Sequence, residues 1–148
     1  MVRRVLVLLA VFGVVVGVRA QGTGDLKVVL DSYLAIGDQL ANDKVDRVKA
    51  PADAIAAEAA KMGEKGTALA KAAKAMASMP SPADLAAARK AFGPLSDAVI
   101  EATKDARGDV KVAFCPMANA SWLQKDATIR NPYYGSGMLT CGEFRAPK

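Results

Sequence analysis

Four sulfur side chains near one end of this chain have the types and spacing to do chemistry: Cys115-x-Met117 and Met138-x-x-Cys141. Two residues apart on an extended segment, side chains share a face, and three apart on a helical turn they do so again. Brought together, the pairs offer two thiols and two thioethers. That soft donor set selects Cu(I), and by the same softness Ag(I), over hard cations. Trp122 lies between the pairs in sequence, and its ring could shield such a site or contact the cation.

The spacing is none of the usual C-x-x-C zinc patterns. The same two cysteines therefore support a second reading, a Cys115–Cys141 disulfide. In the chain-entropy model, closing a segment of that length stabilises a fold by about 3–4 kcal/mol. Met117 and Met138 would then be ordinary gap-filling residues. The two states alternate, since oxidation removes the thiolates that a metal needs.

What the chain lacks narrows its chemistry further. It has 148 residues and no histidine. That removes Ser-His and Cys-His nucleophile pairs, zincin-type helices and every imidazole metal site. Ser136, in Gly135-Ser136-Gly137, has neither a G-x-S-x-G elbow nor a base to activate it. A thiol oxidoreductase would want C-x-x-C at a helix N-terminus, and these cysteines lie far apart. No enzyme is expected.

The charge balance, 20 Lys+Arg against 15 Asp+Glu, invites a polyanion partner until position is considered. Residues 1–20 hold Arg3, Arg4 and Arg19 and no acid, with residues 5–18 uniformly apolar. Val18-Arg19-Ala20 ends this stretch as a signal-peptidase site would. The apolar run is short of the ~20 residues of a spanning helix, so a signal peptide over 1–20 is expected rather than a permanent anchor. Gln21 offers no thiol for lipoprotein processing. Without the three leader arginines, 17 bases face 15 acids, and the lysines are dispersed, so no nucleic-acid partner is expected. Export also places the cysteines in a periplasmic or extracellular compartment where a disulfide can form.

Residues 21–148 read as one mainly α domain. Leu26, Val29, Leu30, Tyr33, Leu34, Ile36 and Leu40 follow a helical period, with Asp25 as N-cap and Asn42-Asp43 as the end. A second helix spans 43–62 with Pro51 inside it, so that it either starts near Pro51 or kinks there. Gly63 and Gly66 punctuate, and an Ala-rich third helix runs over 67–78. Ser81-Pro82-Ala83-Asp84 places a hydroxyl cap, a proline at N1 and an acid at N3 ahead of a fourth helix. Leu85, Ala88, Phe92, Leu95, Val99 and Ile100 are its inward face, and Gly93-Pro94 should kink it. The expectation is an antiparallel four-helix bundle over 25–107. Met62, Met76 and Met79 are read as core packing rather than as a methionine-only Cu(I) site.

Residues 108–148 form a small irregular segment with one short-strand signal, Val110, Val112 and Phe114 alternating with Lys111 and Ala113. Both cysteines, the only tryptophan and two of the three tyrosines fall between 115 and 142. Asn131-Pro132-Tyr133-Tyr134-Gly135 reads as a turn with aromatic packing.

Cys115-Pro116-Met117, Trp122-Leu123, Ile129, Asn131-Pro132-Tyr133-Tyr134-Gly135 and Met138-Leu139-Thr140-Cys141-Gly142, behind an Ala-rich helical region, resemble a bacterial domain family of unknown function. Its members look like small exported proteins, or are appended to the periplasmic adaptor (membrane fusion) subunits of heavy-metal RND efflux systems, which export copper and silver or cobalt, zinc and cadmium. The resemblance implies a metal at Cys115, Met117, Met138 and Cys141, framed by Trp122 and Tyr134. It also implies an efflux system or its adaptor as partner. The chain departs from the adaptors in having no room for their long hairpin, lipoyl and barrel domains. Together these features lead to the expectation of a non-enzymatic, exported Cu(I)- or Ag(I)-binding protein; the alternative is an envelope interaction module stapled by its disulfide.

Overall fold

Helix α1, Leu26–Ala41, begins where Asp25 leaves the helical conformation and its carboxylate accepts the N–H groups of Lys27 and Val28. It ends at Asn42, as the sequence predicts. Helix α2, Lys49–Lys61, resolves the proline question in favour of a late start. Pro51 sits in its first turn, where its missing N–H needs no acceptor. After a 3-10 turn at Gly63–Gly66 comes α3, Thr67–Ala77, and then α4, Leu85–Ala102, which continues through Pro94. The N-cap of α4 is Asp84, not Ser81, because Asp84 has extended backbone and its carboxylate accepts the Ala87 N–H. The computed structural model describes residues 23–80 and 84–146, so the expected leader and residues 81–83 lie outside the described residues. Among the described residues, no helix is long and apolar enough to cross a membrane.

The helices pack in chain order, α1 on α2, α2 on α3 and α3 on α4, and α4 returns to α1. Small side chains make the α2–α3 contact close: Ala52, Ala59 and Ala73 are fully buried. Larger ones fill the middle, among them Val29, Ile36, Leu40, Ile55, Phe92 and Val99. Met76 is buried in this core, with Met62 and Met79 packed against it, in line with the packing role expected of them.

The C-terminal segment is more regular than its sequence suggests. Strands β1, Lys111–Cys115, β2, Ala120–Gln124, and β3, Glu143–Arg145, form an antiparallel sheet in the order β2-β1-β3. Strand β2 packs on α4 and α1, while β3 is an exposed edge. Arg145 lies 3.6 Å from the Phe114 ring centroid and Lys111 5.2 Å from that of Phe144. Such cation–π contacts contribute about 0.5–1 kcal/mol each at exposed sites and help hold the short edge strand.

Helices and sheet are joined by a cluster of buried hydroxyls. Tyr33 of α1 and Ser96 of α4 share a 2.7 Å hydrogen bond, and the Leu123 N–H of β2 donates to the Tyr33 oxygen. Tyr133 donates to the Ser121 carbonyl at 2.8 Å, and its oxygen lies 3.2 Å from the Ser96 hydroxyl. Phe92 stacks on Tyr33, and Trp122 meets Tyr133 edge-on. Burial pushes both phenols up, Tyr133 to about 12, so they stay neutral. Tyr33→Phe leaves the Leu123 N–H without its acceptor, a loss of about 1–3 kcal/mol. Urea unfolding should show the lowered midpoint with the slope unchanged; an unmoved midpoint would contradict this role.

Candidate metal centre

The sheet is what brings the cysteines together. Cys115 ends β1, opposite Ala120 across the turn over 116–119. Strand β3 pairs with the other side of β1 in the register Phe114↔Glu143. One further step in that register sets Gly142 opposite Cys115 and leaves Cys141 beside it. The sulfurs of Cys115 and Cys141 lie 2.8 Å apart, in direct contact and beyond the length of a disulfide bond. Cys115 is 0% exposed and belongs to the core, whereas Cys141 is only partly covered.

Gly142 is required by a close approach. Its φ of +143° suits glycine, and a Cβ there would stand 2.7 Å from Trp122 Cη2. Trp122 thus lies against the backbone next to Cys141, with its indole N–H given to Gln124. Tyr134 donates to the Met117 carbonyl, two residues after Cys115. Trp122 is thus placed beside the residue that follows Cys141, and Tyr134 on the backbone of the turn that follows Cys115.

The methionines are placed less evenly. Met138 shares a turn with Cys141, whose N–H donates to the Met138 carbonyl at 3.0 Å. Met117 does not share a strand face with Cys115, because the strand ends at Cys115 and Met117 falls in the following turn. Its side chain is 66% exposed. The two thiols are in contact, then, with one thioether half-buried nearby in sequence and the other at the surface. Among the described residues, no three His, Cys, Asp or Glu side chains form a metal-holding group. Further donors to a cation at the thiols would come from thioethers or carbonyls.

The two thiols are not equivalent. Burial pushes the Cys115 thiol up, but hydrogen bonds outweigh it. The Cys141 thiol, the N–H groups of Ala118 and Met117, and the Asn131 side chain together hold Cys115 below the ordinary cysteine value. Cys141 is pushed up, first because its proton is held in the bond to Cys115 and then by burial. Cys141 is thus the donor and Cys115 the acceptor of the shared S–H, and the thiolate is the form of cysteine that binds a metal.

Two groups that read in the sequence as turn or scaffold hold this arrangement. Asn131 is fully buried; its amide donates to the Cys141 carbonyl at 2.8 Å, and its side-chain oxygen accepts the Tyr133 N–H. Behind the loop, Arg89 of α4 donates to the Pro132 and Leu40 carbonyls and pairs with Asp43, which in turn accepts the Ser136 N–H. The Asn-Pro dipeptide is a local signal for the first group. Asp43 and Arg89 are 46 residues apart, and no local pattern could pair them. A cavity of about 230 Å³, lined by residues including Leu34, Asp38, Gln124 and Arg130, includes neither cysteine.

Four helices with a small antiparallel sheet packed on α1 and α4 define the architecture, and a thiol pair at the end of the central strand is its candidate centre. The chain belongs to the family described as "Protein of unknown function (DUF3347)", whose profile matches residues 29–109, more than half of the sequence. The match covers the helices and stops before Cys115. Comparison with curated proteins and with solved structures returns no match.

Gly135 has φ +53°, and a Cβ there would collide with the Asp43 carboxylate and the Arg89 guanidinium. Gly135→Ala is expected to cost about 1–3 kcal/mol from backbone strain alone, read by thermal unfolding; wild-type stability in that variant would contradict the packing. Hydrogen bonds from Ser136 and the Arg89 guanidinium hold the Asp43 carboxyl below the ordinary carboxylate range. Its contribution is then complete above that range and is lost as pH falls through the depressed value. Asp43→Asn should flatten part of the acid limb of the stability–pH curve, and an unchanged limb would contradict the assignment.

Proposed function

We propose that this is an exported, non-enzymatic protein that binds Cu(I) or Ag(I) and sequesters or delivers it for a heavy-metal efflux system. Its helices are read as an antiparallel four-helix bundle that carries the sulfur site at one end. The observation that carries the proposal is the thiol pair itself. In a chain without histidine, two cysteines 26 residues apart have their sulfurs in contact, and hydrogen bonds hold the buried one below the ordinary cysteine value. Cys115 and Cys141 are the principal ligands. Met138 and the exposed Met117 supply thioether sulfur, Met117 being suited to meet the ion first. Soft sulfur donors select monovalent copper or silver over hard cations. The near-balanced charge of residues 21–148 and the leader over 1–20 support a periplasmic or secreted protein rather than a nucleic-acid partner. An RND-type efflux system or its adaptor is the proposed partner.

The separation of the sulfurs favours a second reading in one respect. Two thiolates on one tetrahedral cation, with bonds of about 2.3 Å as for zinc, stand about 3.8 Å apart. The observed 2.8 Å is closer to the contact that precedes a disulfide. A stapled envelope interaction module would leave no alkylatable thiol in protein taken from its compartment, and reduction would lower its stability. Mass spectrometry with and without alkylation separates the readings.

Titration of reduced protein with Cu(I) against a competing chelator tests the metal directly. Wild type is expected to bind with a Kd of about micromolar or tighter, corresponding to about 8 kcal/mol or more. Cys115→Ser with Cys141→Ser should abolish that binding. Thiol-independent binding, or none in this range, overturns the proposal.

A further inference from the structure

The two sulfurs differ in access as well as in hydrogen bonding. Cys115 is fully buried at the end of the central strand, where Asn131 donates to the backbone of its partner Cys141. Cys141 lies outside it, partly exposed, between the Met138 turn and the edge strand. Cys115 has no exposed surface and Cys141 has some, yet the two sulfurs are in contact.

We infer that Cys141 is the sulfur through which the pair exchanges with external disulfides and thiols, and that Cys115 is the buried partner that resolves the mixed disulfide. Cys141, after losing its proton to solvent, attacks a small disulfide RSSR as the thiolate, forming Cys141–S–S–R and releasing RS−, which takes up a proton as RSH. Cys115 then attacks the Cys141 sulfur, breaks its bond to R and releases a second RSH. The net change is two thiols oxidised to one internal disulfide and RSSR reduced to two RSH. The reverse direction also enters at Cys141, since an external thiolate cannot reach Cys115, and Cys115 is the sulfur that leaves. Exchange rates follow the leaving group and, above all, access to the sulfur attacked. Rather than a permanent staple, the pair is a reversible dithiol that opens and closes its own ligand set. The reactivity does not require a metal, so this inference and the Cu(I) titration fail independently.

The test uses reduced, metal-free, full-length protein. Limiting iodoacetamide followed by peptide mapping should label Cys141 over Cys115 by about tenfold or more, because Cys115 is shielded by the fold. Glutathione disulfide, with acid trapping over time, should show a glutathione adduct on Cys141 that gives way to the internal disulfide. Cys115→Ser should stop at the adduct. Cys141→Ser should stay unreactive when folded and react in urea. Equal labelling of the two cysteines, preferential labelling of Cys115, or an adduct first found on Cys115 overturns the inference. So does an internal disulfide that dithiothreitol cannot reduce in the folded protein. The wild-type labelling decides the matter even where a variant fails to fold.

Discussion

A phenol buried with no exposed surface must have every polar partner inside the protein, and Tyr33 meets that demand by binding two parts of the fold at once. Its oxygen bonds Ser96 of α4 and accepts from the backbone of β2. Tyr133 closes the cluster from the loop that follows β2. Because an unpaired buried hydroxyl costs more than a paired one contributes, these bonds hold the helices and the sheet in the placement that satisfies all of the groups. The rest of the architecture is arranged around that constraint.

The thiol pair inherits its position from it. Strand β2 is fixed on the helices through Leu123, β1 is registered on β2, and β3 on β1, so that Cys115 and Cys141 meet at the end of the ladder. The loop between β2 and β3 is anchored twice, by Asn131 to the Cys141 carbonyl and by Arg89 and Asp43 to its far side. Cys115 is thereby immobilised in the core while Cys141 keeps a face to solvent. A buried thiol in contact with a partly exposed one suits both capture of a soft ion and exchange with an outside disulfide. Which of the two is expressed depends on the redox poise of the compartment.

Much of this is legible in the sequence, where the signal is local. The apolar period from Leu26 to Leu40 and the Asp25 cap define α1, and the alternation at Val110, Val112 and Phe114 announces β1. Strand β2 escapes a sequence reading because Trp122, Leu123 and Gln124 are buried in succession, without the alternation that marks the equally short β1, and β3 because its three exposed residues carry no period. The cap of α4 is Asp84, whose extended backbone and carboxylate satisfy the Ala87 N–H. The site residues stand out by type, sulfur and aromatics crowded into one stretch. What holds them does not. Tyr33 with Ser96 and Asp43 with Arg89 are pairings between distant parts of the chain, and in the sequence each residue looks like ordinary helix core or solvated charge.

Membership in a family of unknown function rests on the helices, whereas the proposed chemistry rests on the segment beyond them. The frame and the centre are thus separable in sequence but not in structure. The central claim, that the chain holds a soft metal through sulfur alone, is tested most directly by X-ray absorption at the copper edge of reduced protein loaded with one equivalent of Cu(I). The account predicts a first shell of sulfur only, lost when Cys115 and Cys141 are both serine. A first shell of nitrogen or oxygen, or a sulfur shell that survives without the two cysteines, would contradict it.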